Sequence, residues 1–192
     1  MRWKQFLSLL FGITLAAAAS AQVATAPATA PAAPVADPAN ILQLDLSNGG
    51  SVRVLLRPDK APLAVERIKS LTRSGFYNGL IFHRVIEGFM AQGGDPRGDG
   101  TGGSDQPDLV AEFNDMPHVR GAMAMARSAD ENSANSQFYI MLMPNFSLDR
   151  RYTVVGRVMT GMDAVDAIEK GEPPANPTKI VKASIVGDSA AQ

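Results

Sequence analysis

Phe82-His83-Arg84-Val85-Ile86-Glu87-Gly88-Phe89-Met90-Ala91-Gln92-Gly93-Gly94-Asp95 is the stretch from which the rest of the chain can be read. Side chains alternate between the faces of a strand. That period predicts Phe82, Arg84 and Ile86 on one face, with His83 and Val85 on the other. Glu87-Gly88 breaks the run, and a second short strand carries Phe89 to Gln92. An arginine among Phe, Met and Gln is an unusual strand face. Spacing alone leaves two readings open: a rim arginine whose stem covers apolar surface, or a functional cation beside an apolar pocket.

Upstream, Ile41-Leu42-Gln43-Leu44-Asp45-Leu46 reads as a strand. Asn48-Gly49-Gly50 is a tight-turn signal, and Val52 to Leu56 completes a hairpin. From Leu63 to Ser74, Val65, Ile68 and Leu71 or Thr72 recur at helical spacing, with Gly75 placed to end the helix. Downstream, Leu80 to Ile86, Phe89 to Gln92, Ala122 to Ala126, Gln137 to Leu142 and Tyr152 to Val158 are short apolar runs between Gly, Pro, Asn and Asp. A second helix is predicted over Met162 to Lys170, ended by Gly171. Pro173-Pro174-Ala175-Asn176-Pro177 reads as a rigid loop, and Ile180 to Val186 as a last strand. Many short strands with two helices predict a mainly β protein, a closed antiparallel barrel capped by helices rather than a βαβ sheet.

The ends read differently. Arg2 and Lys4, the uncharged run Phe6 to Ala19 and the small-x-small site Ala19-Ser20-Ala21 predict a signal peptide over residues 1–21 and a periplasmic mature protein. An uncleaved anchor is the alternative, but the run is shorter than the roughly 20 residues that span a bilayer. Gln22 to Asn40, rich in Ala, Pro and Thr, reads as a disordered linker. It could be a spacer or merely leader sequence. The folded domain is then residues 41–187, with a short tail over 188–192.

In 192 residues, 18 basic and 19 acidic side chains nearly balance. Removal of residues 1–21 would take two basic and no acidic groups and shift the formal charge from −1 to −3. No basic excess suggests nucleic acid. No cysteine is present, so neither a disulfide framework nor a lipoprotein anchor is available. His83 and His118 are far apart and in no metal spacing, and neither H-E-x-x-H nor G-x-S-x-G occurs. No metal and no cofactor are expected. Gly98-Asp99-Gly100-Thr101-Gly102-Gly103 matches the dinucleotide pattern literally, but Asp95-Pro96-Arg97 precedes it and Pro107 follows, so a glycine-rich surface loop is the better reading. The Asn145-Phe146-Ser147 sequon reads as a chance match.

Arg84 and its neighbours, from His83 to Asp95, closely resemble the signature of the cyclophilin family. The resemblance continues in order through Gly100-Thr101-Gly102-Gly103, Glu112-Phe113, Met125-Ala126, Ser136-Gln137-Phe138-Tyr139-Ile140, Leu148-Asp149 and Val154-Val155-Gly156-Arg157-Val158, over roughly Ile41 to Gly187. It implies a closed eight-stranded antiparallel barrel capped by two helices, and peptidyl-prolyl cis/trans isomerase activity. It also implies a site on the barrel's outer face. Arg84 takes the place of the catalytic arginine, with Gln92 beside it. Phe89, Met90, Tyr139 and Leu148 fall at the proline pocket. His83, Ala126, Arg127 and Gln137 fall where the substrate backbone is held, and Tyr152 stands at the edge in place of a histidine.

Further departures from the eukaryotic pattern are Tyr139 for phenylalanine, whose hydroxyl is expected at the pocket edge, and Arg127 for asparagine. A tryptophan is missing near Phe146-Ser147. These resemble bacterial members. The implied partners are proline-containing segments of unfolded or folding proteins, with no membrane contact once the signal is removed, and the protein is expected to be a monomer. A chaperone binding such segments without turnover would not need Arg84, and no motif supports a sugar- or lipid-binding barrel.

Overall fold

The computed structural model describes residues 36–191. The segment read as signal peptide and most of the one read as linker fall outside the described residues. Eight strands form one antiparallel sheet: β1 (Ile41–Leu46), β2 (Ser51–Leu56), β3 (Phe82–Ile86), β4 (Met90–Gly93), β5 (Ala122–Met125), β6 (Phe138–Met141), β7 (Val154–Thr160) and β8 (Ile180–Ile185). Their order is β3-β4-β6-β5-β7-β2-β1-β8. Alternation in β1 buries Leu42, Leu44 and Leu46, and in β2 Val52, Val54 and Leu56. Helix α1 (Pro62–Arg73) packs Val65, Ile68 and Leu71 into the same core, and α2 (Met162–Asp166) adds Val165.

The sheet is a curled half-barrel, not the closed barrel expected. β3 and β8 stand at opposite ends of the strand order and share no ladder. A single bridge, Ile81 with Lys179, and a few backbone hydrogen bonds join the segments beside them, such as Phe82 N–H to Thr178 O at 2.9 Å. Farther along β3 the loop after α2 takes the edge: Val85 and Gly171 exchange hydrogen bonds of 2.8 and 2.9 Å. Closure by a strand is therefore replaced by a loop that covers the edge, one of the ordinary ways to protect unpaired backbone groups.

Helix α1 has no capping side chain at Ala61. Glu112, distant in sequence, accepts instead from the N–H groups of Leu63 (3.0 Å) and Ala64 (2.8 Å). At the other end, Gly75 (φ 75°) reverses the chain, with Gly75 N–H to Thr72 O and Phe76 N–H to Leu71 O, both 3.0 Å. That is the double bond of a Schellman ending.

Helix α2 is shorter than the predicted Met162 to Lys170. The chain leaves the helix after Asp166 and buries Ile168 in the core, while the Lys170 ammonium satisfies the carbonyls of Asp166 and Ile168. Pro38–Asn40, read as linker, forms a 3₁₀ turn. Asp37 caps it through Ala39 N–H, and Lys69 donates to Asn40 at 2.6 Å. Val186–Ala191 forms a further 3₁₀ segment rather than a plain tail, and Asp188 pairs with Arg73 at 2.9 Å.

The core has two parts because β4, β5 and β6 are apolar on both faces. Inside lie residues such as Phe82, Val85, Met123, Phe138 and Ile140. Outside, Met90, Ala122, Ala124, Tyr139, Met141 and Val154 form a second cluster, against which Ile86, Phe89, Ala126, Leu148 and Tyr152 pack. The lack of polar alternation in Ala122–Met125 and Phe138–Met141 has this cause: a strand buried on both faces reads as a continuous apolar run.

Candidate functional site

A β-bulge decides where Arg84 points. In the β3–β4 ladder Phe82 opposes Gly93 and Arg84 opposes Gln92, so two steps along β3 match one along β4, and His83 is the extra residue. Strict alternation had placed Phe82, Arg84 and Ile86 together. The bulge instead turns Phe82 inward to join Val85 in the inner core, while Ile86 packs on the outer cluster beside the hollow that Arg84 lines.

Arg84, Phe89, Met90, Gln92, Ala126, Arg127, Tyr139, Leu148 and Tyr152 line one hollow of about 130 Å³ on the outer face. β3 supplies Arg84, β4 Met90 and Gln92, and β6 Tyr139. The 3₁₀ turn Phe146–Leu148, capped by Asn145 through Ser147 N–H, supplies Leu148. Two larger hollows adjoin it and share Gln92 with it. One, of about 650 Å³, is lined on its near side by Gln92, Ala126, Arg127 and Gln137, and on its far side by the Gly100–Ser104 loop. The other, of about 400 Å³, holds His83, Arg84, Gln92, Asp99 and Glu172. All eleven residues singled out in the sequence thus converge, nine on the small hollow, Gln137 and His83 on its neighbours.

The two arginines of the small hollow are used differently. Arg127 gives Nη1 to the carbonyls of Ser128 (2.9 Å) and Ala129 (3.3 Å) and Nη2 to that of Arg151 (3.0 Å). Its guanidinium carbon lies 4.6 Å from the centre of the Tyr152 ring, a cation–π contact that builds the wall. Arg84 makes one side-chain hydrogen bond among the described residues, Nε to Glu172 at 2.6 Å, and this leaves both Nη groups for a ligand. Gln92 lies opposite Arg84 but is bonded elsewhere. Its Nε2 donates to Gln137 Oε1 at 2.8 Å, and Gln137 in turn donates to the carbonyls of Gly100 (3.1 Å) and Gly102 (2.8 Å).

That glycine-rich loop is tied to the buried Asp95. The carboxylate accepts from the N–H groups of Arg97 (2.8 Å), Asp99 (3.2 Å) and Gly100 (2.6 Å). Burial alone would raise the Asp95 pKa, but these backbone donors, with that of Gly102, outweigh it and hold the group below its ordinary value. A side chain at Gly102 would collide with this carboxylate, which explains the glycine there. No helix follows the loop, so the dinucleotide geometry is not formed.

The Tyr139 hydroxyl does not project at the pocket edge. It is bound to Nε2 of the fully buried His118 at 3.0 Å, while His118 Nδ1 lies 2.9 Å from Asp149. The ionised Asp149 also accepts His118 N–H at 2.8 Å, so it holds both the backbone and the Nδ1 side of the ring. Burial pushes the Asp149 pKa up, yet the His118 backbone and ring donors bring it below the usual carboxylate value. His83 is buried with neither ring nitrogen hydrogen-bonded to the protein, and burial lowers its pKa.

Sequence reasoning missed Glu172, His118 and Asp149 as parts of the site. Glu172 is 88 residues from Arg84 and sits in a loop without any motif. His118 was noticed only as a metal ligand to be excluded. Among the described residues, no group of three or more His, Asp or Glu side chains could hold a metal ion.

Comparison with known proteins gives a consistent picture. The family described as Cyclophilin type peptidyl-prolyl cis-trans isomerase/CLD matches residues 41–185. A Brucella suis protein named "Probable peptidyl-prolyl cis-trans isomerase" is 50% identical over 193 residues, covering 92% of this chain and 98% of the relative. The crystal structure of cyclophilin AquaCyp293 from Hirschia baltica superposes with a TM-score of 0.73 at 30% identity, over 79% of this chain and 76% of the other. A Cryptosporidium parvum cyclophilin-type isomerase, solved in the presence of the dipeptide ala-pro, gives 0.70 at 26% identity, over 76% of this chain and 98% of the other.

Proposed function

Because the chain belongs to the cyclophilin-type peptidyl-prolyl cis-trans isomerase family and is an isomerase, we propose that it catalyses Xaa-Pro rotation at the small hollow beside Arg84, and does so on exported proteins as they fold. The observation that carries the site assignment is a hollow in which Phe89, Met90, Leu148 and the Tyr139 and Tyr152 rings stand beside one arginine whose Nη donors are uncommitted among the described residues.

Rotating a peptide bond breaks amide resonance, against a barrier of about 18–20 kcal/mol. In the planar ground state the nitrogen lone pair is delocalised and accepts hydrogen bonds poorly. In the twisted state it is localised and accepts them well. A guanidinium fixed near that nitrogen therefore stabilises the transition state more than the substrate, which is what lowers a barrier. Phe89, Met90, Tyr139 and Leu148 grip the proline ring, with Tyr152 closing the edge. Gln92 and Gln137 form the polar wall, and Ala126, Arg127 and His83 flank the course of the substrate backbone. No bond to a nucleophile is made, so the residues need only bind, orient and donate. That the Cryptosporidium protein was crystallised in the presence of the dipeptide ala-pro supports a proline-containing ligand for this chain.

Export is supported by the signal-like start over residues 1–21, and a folding role by that location. An isomerisation assay on a short Xaa-Pro peptide, run with Arg84 variants, tests the site. Mass spectrometry of the protein isolated from cells tests export: the expected mature chain begins at Gln22, and an intact Met1 in a soluble cytoplasmic fraction would refute it.

A further inference from the structure

The Arg84 side chain is held from one side. Nε donates to Glu172 Oε2 at 2.6 Å, while Gln92, directly across the ladder, directs its amide to Gln137 instead. Both members of the ion pair are partly exposed, at 42% and 50%. Exposed pairs of two long side chains are ordinarily weak, because each must be immobilised and solvent screens the attraction. Here the carboxylate is delivered by backbone. Gly171, next to Glu172, is pinned by its pair of hydrogen bonds to Val85, the neighbour of Arg84. The two side chains therefore leave the backbone beside one clamp.

We propose that Glu172 is a positioning residue for Arg84, fixing Nε so that the Nη donors face the proline hollow. The inference rests on the reading of Arg84 as the catalytic donor. A guanidinium has five N–H donors in one plane. Binding the inner one sets the orientation of the plane and leaves the outer four for the substrate. Without that bond, an exposed arginine on a strand spreads over several rotamers, and few of them aim at a twisted amide nitrogen. Positioning of this kind acts on the reaction step. A latch would be the opposite arrangement: a carboxylate competing with substrate for the guanidinium, whose removal would speed turnover.

The two are separated by NMR exchange measurements on an Xaa-Pro peptide, which resolve the interconversion rate on the enzyme from peptide affinity. Wild type, E172A, E172Q, R84A and R84A/E172A are compared, with thermal unfolding for each. E172A is expected to slow interconversion about fivefold with affinity and Tm nearly unchanged. E172Q keeps an oxygen for Nε and should recover most of the rate. In the Arg84→Ala background, assayed at raised enzyme concentration, removing Glu172 should change nothing further. A wild-type or faster rate for E172A, or the same fivefold loss in both backgrounds, would overturn the positioning role. A near-wild-type rate for R84A alone would instead remove the reading on which the role rests.

Discussion

Arg84 keeps its Nη groups available, while Arg127 across the same hollow spends both of its own on carbonyls. Lysine at position 84 would retain the charge but not the planar fork. Both Arg84→Lys and Arg84→Ala are therefore expected to lose tenfold or more in kcat/KM, at least about 1.4 kcal/mol of transition-state stabilisation. The melting temperature should hardly move, because the side chain is half exposed. Isomerisation rates beside thermal melts check this, and a folded Arg84→Ala protein with normal turnover would end the assignment. Tyr139 makes the contrasting case. Its ring lines the hollow, but its hydroxyl serves the buried His118. Tyr139→Phe should leave activity within about twofold and lower stability by about 1–3 kcal/mol, since a buried nitrogen loses its partner. Equal stability in denaturant titrations would mean that the Tyr139–His118 bond contributes nothing. Arg84, the pocket apolars and both glutamines were legible because they sit in one ordered set of short motifs. Glu172 and His118 were not, because a partner brought by a loop or a distant strand leaves no local pattern.

At the scale of elements, periodicity was a good guide where a strand has one buried face, as in Ile41–Leu46 and Ser51–Leu56. It failed at His83, because alternation presumes an unbroken ladder, and one extra residue exchanges the faces downstream. It also overextended α2: Ile168 continues the helical apolar pattern yet reaches the core from a turn. Helix α1 was placed within a residue of its bounds, but its N-terminal cap could not be read, since Ala61 offers no side-chain acceptor and Glu112 arrives from another loop. Charge at a helix N-terminus and a filled N–H pair together stabilise a helix. Glu112→Ala should cost about 1 kcal/mol, a fall in Tm of roughly 2–4 °C for a chain of this size. Isomerase activity should be unchanged, because Glu112 lines none of the three hollows. Calorimetry with a parallel activity assay decides; loss of activity without loss of stability would show that Glu112 reaches the site.

For the molecule as a whole, acid acts on the fold through two kinds of group, which respond at different pH. His83 is buried without a hydrogen-bond partner in the protein, and burial lowers its pKa. Asp95 and Asp99 pull the other way, while Arg84 adds to the lowering. A histidine with a lowered folded pKa binds fewer protons folded than unfolded. Stability is therefore full above the unfolded value of about 6.5 and declines as pH falls below it, until the folded group also protonates. Asp95 and Asp149 have lowered pKa values, so their contribution is present above the unfolded carboxylate value of about 3.9 and disappears only below it. The expected curve of Tm against pH has an upper shoulder beginning near 6.5 and a steeper fall below about 4. His83→Leu removes the titrating ring and leaves no unsatisfied nitrogen, so it should erase the upper shoulder and keep the lower fall, at little cost in stability near neutrality. Melting curves across pH 3–8 for both proteins provide the test. If the shoulder persists in His83→Leu, another group carries it, and the buried histidine is not what makes this fold sensitive to mild acid.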